Sequence, residues 1–69
     1  MPGASALTAA ELRVLPLLAT YLPIREIAAE LFVSPHTVRA QVRSIYRKLG
    51  ASGRSQGIAK ARRLGLLES

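Results

Sequence analysis

Apolar residues recur at helical spacing in four runs, and the clearest run lies between Val33 and Gly50. There Val38, Val42, Ile45 and Leu49 fall on one stripe at about 100° per residue. His36, Arg39, Ala40, Arg43 and Arg47 fall on a second stripe, roughly 140° away by the same count. The pattern predicts one helix with an apolar face for a core and a cationic face for something else. Its ends are marked as well. Ser34 suits the N-cap, where its hydroxyl accepts from a first-turn amide, and Pro35 suits the first helical position. Gly50 suits the left-handed residue just past the end.

The other runs are shorter. Thr8 and Glu11 form a capping box, with Leu7 and Leu12 spaced for the hydrophobic staple around it. A first helix is expected from there to about Thr20, with Leu12, Leu15, Leu18, Ala19 and Leu22 inward. Pro16 removes the bond to the Leu12 carbonyl and should bend that helix. A second helix is expected over Leu22 to Leu31, with Pro23 in its first position and Ile24, Ile27, Ala28 and Leu31 inward. Glu26 and Glu30 lie one turn apart on its outside and read as a solvated face. Only Phe32 to Ser34 joins it to the organising helix, so the two should cross steeply, with Ala28 allowing close approach. A fourth helix is expected from Arg54 to Leu64, with Ile58, Ala61 and Leu64 inward. Gly57 inside it should cost about 1 kcal/mol against alanine. Gly65 caps its end, and Leu66 and Leu67 fold back on the core. The expected fold is all-α: a four-helix helix-turn-helix domain over residues 7–67, preceded by a flexible leader or linker remnant at 1–6.

Length and charge narrow the function. Sixty-nine residues allow one small core and leave little room for a catalytic cleft. The chain has no cysteine, which excludes disulfides and thiolate metal sites. No apolar run reaches the roughly 18 residues of a membrane span, no secretory signal is visible, and a cytoplasmic location is the default. The formal net charge is +6, and the acids are Glu11, Glu26, Glu30 and Glu68. The acid-free span between Leu31 and Leu67 holds Arg39, Arg43, Arg47, Lys48, Arg54, Lys60, Arg62 and Arg63. Such a one-sided segment recruits polyanions. Aromatic residues are too few for a single-strand stacking platform. The cationic face could be solvated, lie on an anionic membrane or acidic partner, or enter the DNA major groove, which is wide enough for a helix. The only histidine, His36, has no carboxylate near it in sequence and reads as a rim contact to phosphate or solvent rather than a catalytic base.

The stretches LTAAELRVLPLLA, REIAAELFVSPHTVRAQVRSIYRKLG and RLGLL resemble the LuxR-type (GerE-like) helix-turn-helix domain of bacterial transcription regulators. The resemblance covers Leu7 to Leu67. It implies four helices, the third of them (about 35–49) in the major groove of duplex DNA, and a role as the C-terminal effector domain of a longer regulator. It also implies that Arg39, Ala40 and Arg43 face bases, and that Thr37, Gln41, Arg47, Lys48 and Arg54 meet phosphates, with His36 at the rim. The face argument turns Arg39, Ala40 and Arg43 outward by an independent route. The family often pairs on DNA through the fourth helix, here expected at Gly57, Ile58 and Ala61, where small residues leave a shallow strip. RNA polymerase is a further candidate partner; no cofactor, metal, membrane or catalytic residue is expected. Three positions depart from the family pattern. Tyr21 stands where glycine commonly ends the first helix, Gly53, Arg54 and Gln56 replace a Ser–Arg pair followed by an acid, and Pro16 interrupts the first helix. The alternatives are the promoter-reading domain of a sigma factor, which binding without polymerase would exclude, and a membrane-surface or protein-docking bundle, which liposome flotation would test.

Overall fold

The computed structural model describes residues 7–67; the leader at 1–6 lies outside them. The described residues form four helices and no strand: α1 Ala9–Ala19, α2 Ile24–Leu31, α3 Pro35–Leu49 and α4 Arg54–Arg63. The third helix packs on each of the others. Val38, Val42, Ile45 and Leu49, the stripe expected to face inward, are all buried against Leu7, Val14, Leu15, Leu18, Ile27, Ala28 and Ala61. Burial of aliphatic side chains at about 1.5–3 kcal/mol each is the main force holding so small a domain together.

The ends of α3 form as its sequence predicts. The Ser34 hydroxyl accepts from the Thr37 amide at 3.1 Å, Pro35 opens the helix, and Gly50 closes it in the left-handed region. In α1 both halves of the capping box are present. The second helix begins one residue later than expected, with Pro23 just outside it in extended backbone (ψ 151) as the N-cap. Its carbonyl accepts from the amides of Glu26 and Ile27. Gly65 adopts the expected left-handed conformation, and Leu66 and Leu67 pack on the core.

The inward faces of two helices differ from expectation. In α1 the buried face is rotated: Val14 is fully buried while Leu12 is 41 % exposed. The buried set Glu11, Val14, Leu15 and Leu18 runs in steps of three and four from the capping glutamate, and Leu12 falls outside it. The helix continues through Pro16, which is exposed. In α4, Ile58 and Ala61 are buried as expected, but Leu64 lies just past the helix and is 45 % exposed. Gly57 is buried as well. A Cβ there would sit 3.1 Å from the Tyr46 ring, so the missing side chain lets α4 close on α3.

Candidate nucleic-acid interface

The outer stripe of α3 is built as its sequence spacing requires. His36, Arg39, Ala40, Arg43 and Arg47 are all exposed, and the residues behind them are locked in the core. None of the three arginines is paired with a carboxylate among the described residues. Arg47 is turned along the helix toward the Ser44 hydroxyl at 3.5 Å. Thr37 is exposed, with its hydroxyl 3.0 Å from that of Ser34, and Gln41 is half-buried. Arg39 and Arg43 flank a shallow depression floored by Ile24, Val42 and Tyr46, so the first turn of α2 borders the same surface. Together these groups form a convex helix face with free guanidinium forks and an apolar gap at Ala40.

Two cations expected at phosphates make bonds within the domain. Lys48 Nζ donates to Glu11 Oε1 at 2.9 Å. Glu11 is 4 % exposed and accepts on the same oxygen from the Thr8 amide. Burial alone would raise the Glu11 pKa; hydrogen bonds from Lys48, Ser44 and the Thr8 amide, with the lysine charge, outweigh it and hold it below the ordinary value. The pair ties the last turn of the cationic helix to the first turn of α1. Arg54 donates from Nε to the Leu18 carbonyl at 3.0 Å and from a terminal nitrogen to the Leu22 carbonyl at 2.7 Å. Its guanidinium also lies over the Tyr21 ring, 5.4 Å from the centroid. This half-buried arginine fastens the start of α4 to the α1–α2 turn.

The residues expected to pair two copies are also turned inward. Gly57, Ile58 and Ala61 are buried in the chain's own interior, because α4 needs them to pack on α3 and the core. Lys60 caps α3 by donating to the Gly50 carbonyl at 2.6 Å. The replaced cap of α4 works through Gln56, whose side-chain oxygen accepts from the Ser52 amide at 2.6 Å, while Gly53 supplies no side-chain bond.

With this geometry in view, the sequence matches the family described as bacterial regulatory proteins, luxR family, over residues 5–61. The chain belongs to that family. It is 45 % identical over 67 residues to the probable transcriptional regulatory protein NarL of Mycobacterium tuberculosis, covering 97 % of this chain and 31 % of that protein. It is 44 % identical over 62 residues to the spore germination protein GerE of Bacillus subtilis, covering 90 % of this chain and 84 % of the relative. Among solved structures, the response regulator ChrA of a heme-sensing two-component system superposes with a TM-score of 0.85 at 40 % identity, over 90 % of this chain and 31 % of that one. The transcription factor GerE superposes with a TM-score of 0.83 at 39 % identity, over 90 % and 92 %. The chain thus spans about a third of the length of NarL and nearly all of GerE. It is a helix-turn-helix domain of DNA-binding transcription regulation, a family of regulators and not a class of enzymes.

Proposed function

We propose that the domain binds duplex DNA in a sequence-specific way, with α3 in the major groove, as the DNA-reading part of a cytoplasmic, non-catalytic transcription regulator. The observation that carries this reading is the exposed stripe of Arg39, Ala40, Arg43 and Arg47 on a helix capped at both ends and buried along its back. The forks of Arg39 and Arg43 match the O6 and N7 acceptors of guanine, and the methyl of Ala40 suits the methyl of thymine. His36, Thr37, Gln41 and Arg47 border that face and would meet the phosphates that fix its register. Lys48 and Arg54 support the interface from behind.

Pairing of two copies on DNA belongs to the same proposal. With the inner side of α4 occupied, its exposed residues Ser55, Gln56, Ala59, Arg62 and Arg63 are the ones available for a second copy. Like charge from Arg62 and Arg63 opposes pairing in free solution, and DNA relieves it while holding two domains close. Symmetric half-sites about one helical turn apart are then expected.

Selection of binding sites from random duplexes, with the chain alone and no polymerase present, tests the reading. Enrichment of a motif containing guanine and thymine positions is expected, and replacing the selected thymine with deoxyuracil should weaken binding. A pool that enriches nothing would overturn the proposal, and a motif bound only with polymerase would favour a sigma-type promoter reader.

A further inference from the structure

Beside the cationic row of α3 runs a short apolar row. Arg39 and Arg43 stand one turn apart, and so do Val42 and Tyr46. Ile24, the first residue of α2, meets the apolar row across the helix pair. These five side chains enclose a depression of 310 Å³. Val42 is buried beneath it, and Ile24 and Tyr46 are half-buried. The Tyr46 ring is seated against α4, where a Cβ on Gly57 would stand 3.1 Å from it, so the floor is formed before any ligand arrives. Burial raises the Tyr46 pKa, with the Arg54 charge opposing, and the floor carries no anion of its own at neutral pH. The two arginines at the rim are exposed and pair with no carboxylate among the described residues. Like charges four residues apart repel, so an anion held between them relieves the pair.

We propose that this depression binds a small amphipathic carboxylate of one-ring size, its carboxylate on the Arg39 and Arg43 guanidinium groups and its ring on Ile24, Val42 and Tyr46, and that the bound anion excludes duplex DNA. Binding of the anion stands apart from the DNA reading; the exclusion of duplex rests on it. Three features select the ligand. Guanidinium forks match a planar carboxylate with two parallel hydrogen bonds. The floor accepts an apolar body, and the Tyr46 ring favours an aromatic one in offset or edge-on contact. The volume lies at the lower end of ligand sites, which run from about 300 to 1,000 Å³, and admits one ring. Inorganic phosphate satisfies the forks and leaves the floor wet. A neutral aromatic covers the floor and leaves the forks unpaired. The forks that hold the carboxylate are the ones proposed to read guanine, so one occupant displaces the other. The DNA-reading domain then responds to a metabolite directly.

The test titrates the isotope-labelled chain with phenylacetate and follows its amide resonances at constant ionic strength. Acetate, phosphate and 2-phenylethanol are the comparisons. Phenylacetate should bind saturably with a roughly millimolar Kd, as expected for so few atoms, and shift the amides of the five lining residues. Its affinity should exceed that of each comparison by about fivefold or more, because only phenylacetate uses both forks and floor. The double variant Arg39→Gln, Arg43→Gln should reduce phenylacetate to the affinity of 2-phenylethanol. Ile24→Ala, with its amide dispersion checked, should weaken phenylacetate while leaving acetate as in wild type. Equal affinity for acetate or phosphate would show a generic anion surface and overturn the inference. Shifts centred elsewhere, or a double variant that still binds as wild type, would overturn it too. In a second arm, phenylacetate should raise the apparent Kd for a selected duplex in proportion to its concentration, with acetate at the same ionic strength as the reference. Saturable binding with no effect on duplex affinity would overturn the exclusion. A chain that binds no duplex even without phenylacetate would overturn the DNA reading, and the resonance titration alone would then decide the carboxylate site.

Discussion

Tyr21 and Phe32 occupy left-handed backbone at φ 62 and 57, positions at which a Cβ crowds the following carbonyl. The two differ in what their rings gain. Tyr21 lies under Arg54, whereas Phe32 touches no part of the core. Relief of a left-handed residue is worth ~1–2 kcal/mol, less the ~0.5–1 kcal/mol that a glycine adds in unfolded-chain entropy. Phe32→Gly should therefore stabilise the domain by about 0.5–1 kcal/mol. Tyr21→Gly should come out near neutral, because a cation–π contact worth ~0.5–1 kcal/mol goes with the ring. Urea midpoints should rank Phe32→Gly above wild type, with Tyr21→Gly close to wild type. Single positions of this kind are only partly legible in a sequence. Gly50 and Gly65 announce left-handed caps because glycine is the cheap occupant, while Tyr21 and Phe32 give no local sign of the same conformation. Gly57 reads as a helix defect until the Tyr46 ring is seen 3.1 Å from where its Cβ would be.

At the scale of elements, α3 was legible throughout because period, caps and charge all point to the same boundaries and faces. What anchors it was not, because the anchoring partners are far apart in sequence. The capping box already gives Glu11 a role, and its partner Lys48 is 37 residues away. One signal was available. Glu11 shares a helical face with Leu15 and Leu18, and a carboxylate on a buried face calls for a cation. The same rotation of the face by Glu11 exposes Leu12 and buries Val14. Lys48→Ala should destabilise the domain by about 2 kcal/mol, below the ~3–5 kcal/mol for a fully buried pair because the lysine still meets water. Glu11 supplies a pH dependence of known sign. Its folded pKa lies below the unfolded one, so its contribution is complete above the ordinary carboxylate range and is lost as pH falls through the lowered value. Acid titration of the denaturation midpoint should show this loss, and Glu11→Gln should flatten it. Arg54 gives a third prediction. Its charge-assisted bonds to the Leu18 and Leu22 carbonyls are worth about 1.5–3 kcal/mol apiece at most, with partial overlap through shared geometry. Arg54→Ala should lower the midpoint markedly. Its DNA affinity, measured well below that midpoint, should keep the wild-type salt slope; a slope shallower by about one contact would return Arg54 to the phosphate set.

Across the whole molecule, the charge of +6 overstates what the domain can offer to DNA. Sequence alone distributes eight cations over the acid-free half, and the family pattern assigns several of them to phosphates. Within the domain Lys48 bonds to Glu11, Arg54 to two carbonyls and Lys60 to the Gly50 carbonyl. Among cations on the cationic face of α3, Arg39, Arg43 and Arg47 remain exposed. If Arg39 and Arg43 read bases, their charges still lie in the phosphate field and displace counterions. Each neutralised phosphate contributes a log–log salt slope of about −0.9, so roughly three such charges predict a slope near −3 per domain. Two domains on a symmetric site should give about twice that value. The variants separate the roles further. Arg47→Ala should weaken all duplexes alike and make the slope shallower by about 0.9. Arg43→Ala should also relax preference at one base pair, by ~1–3 kcal/mol for a bidentate guanine contact. Lys48→Ala should leave the slope unchanged once stability is restored by low temperature, because its charge is already neutralised by Glu11. Titrations of labelled duplex across a series of salt concentrations measure all of these. A wild-type slope near −6 for a single domain would mean that the internally bonded cations swing out to meet phosphate, and the division between reading face and supporting anchors would fail.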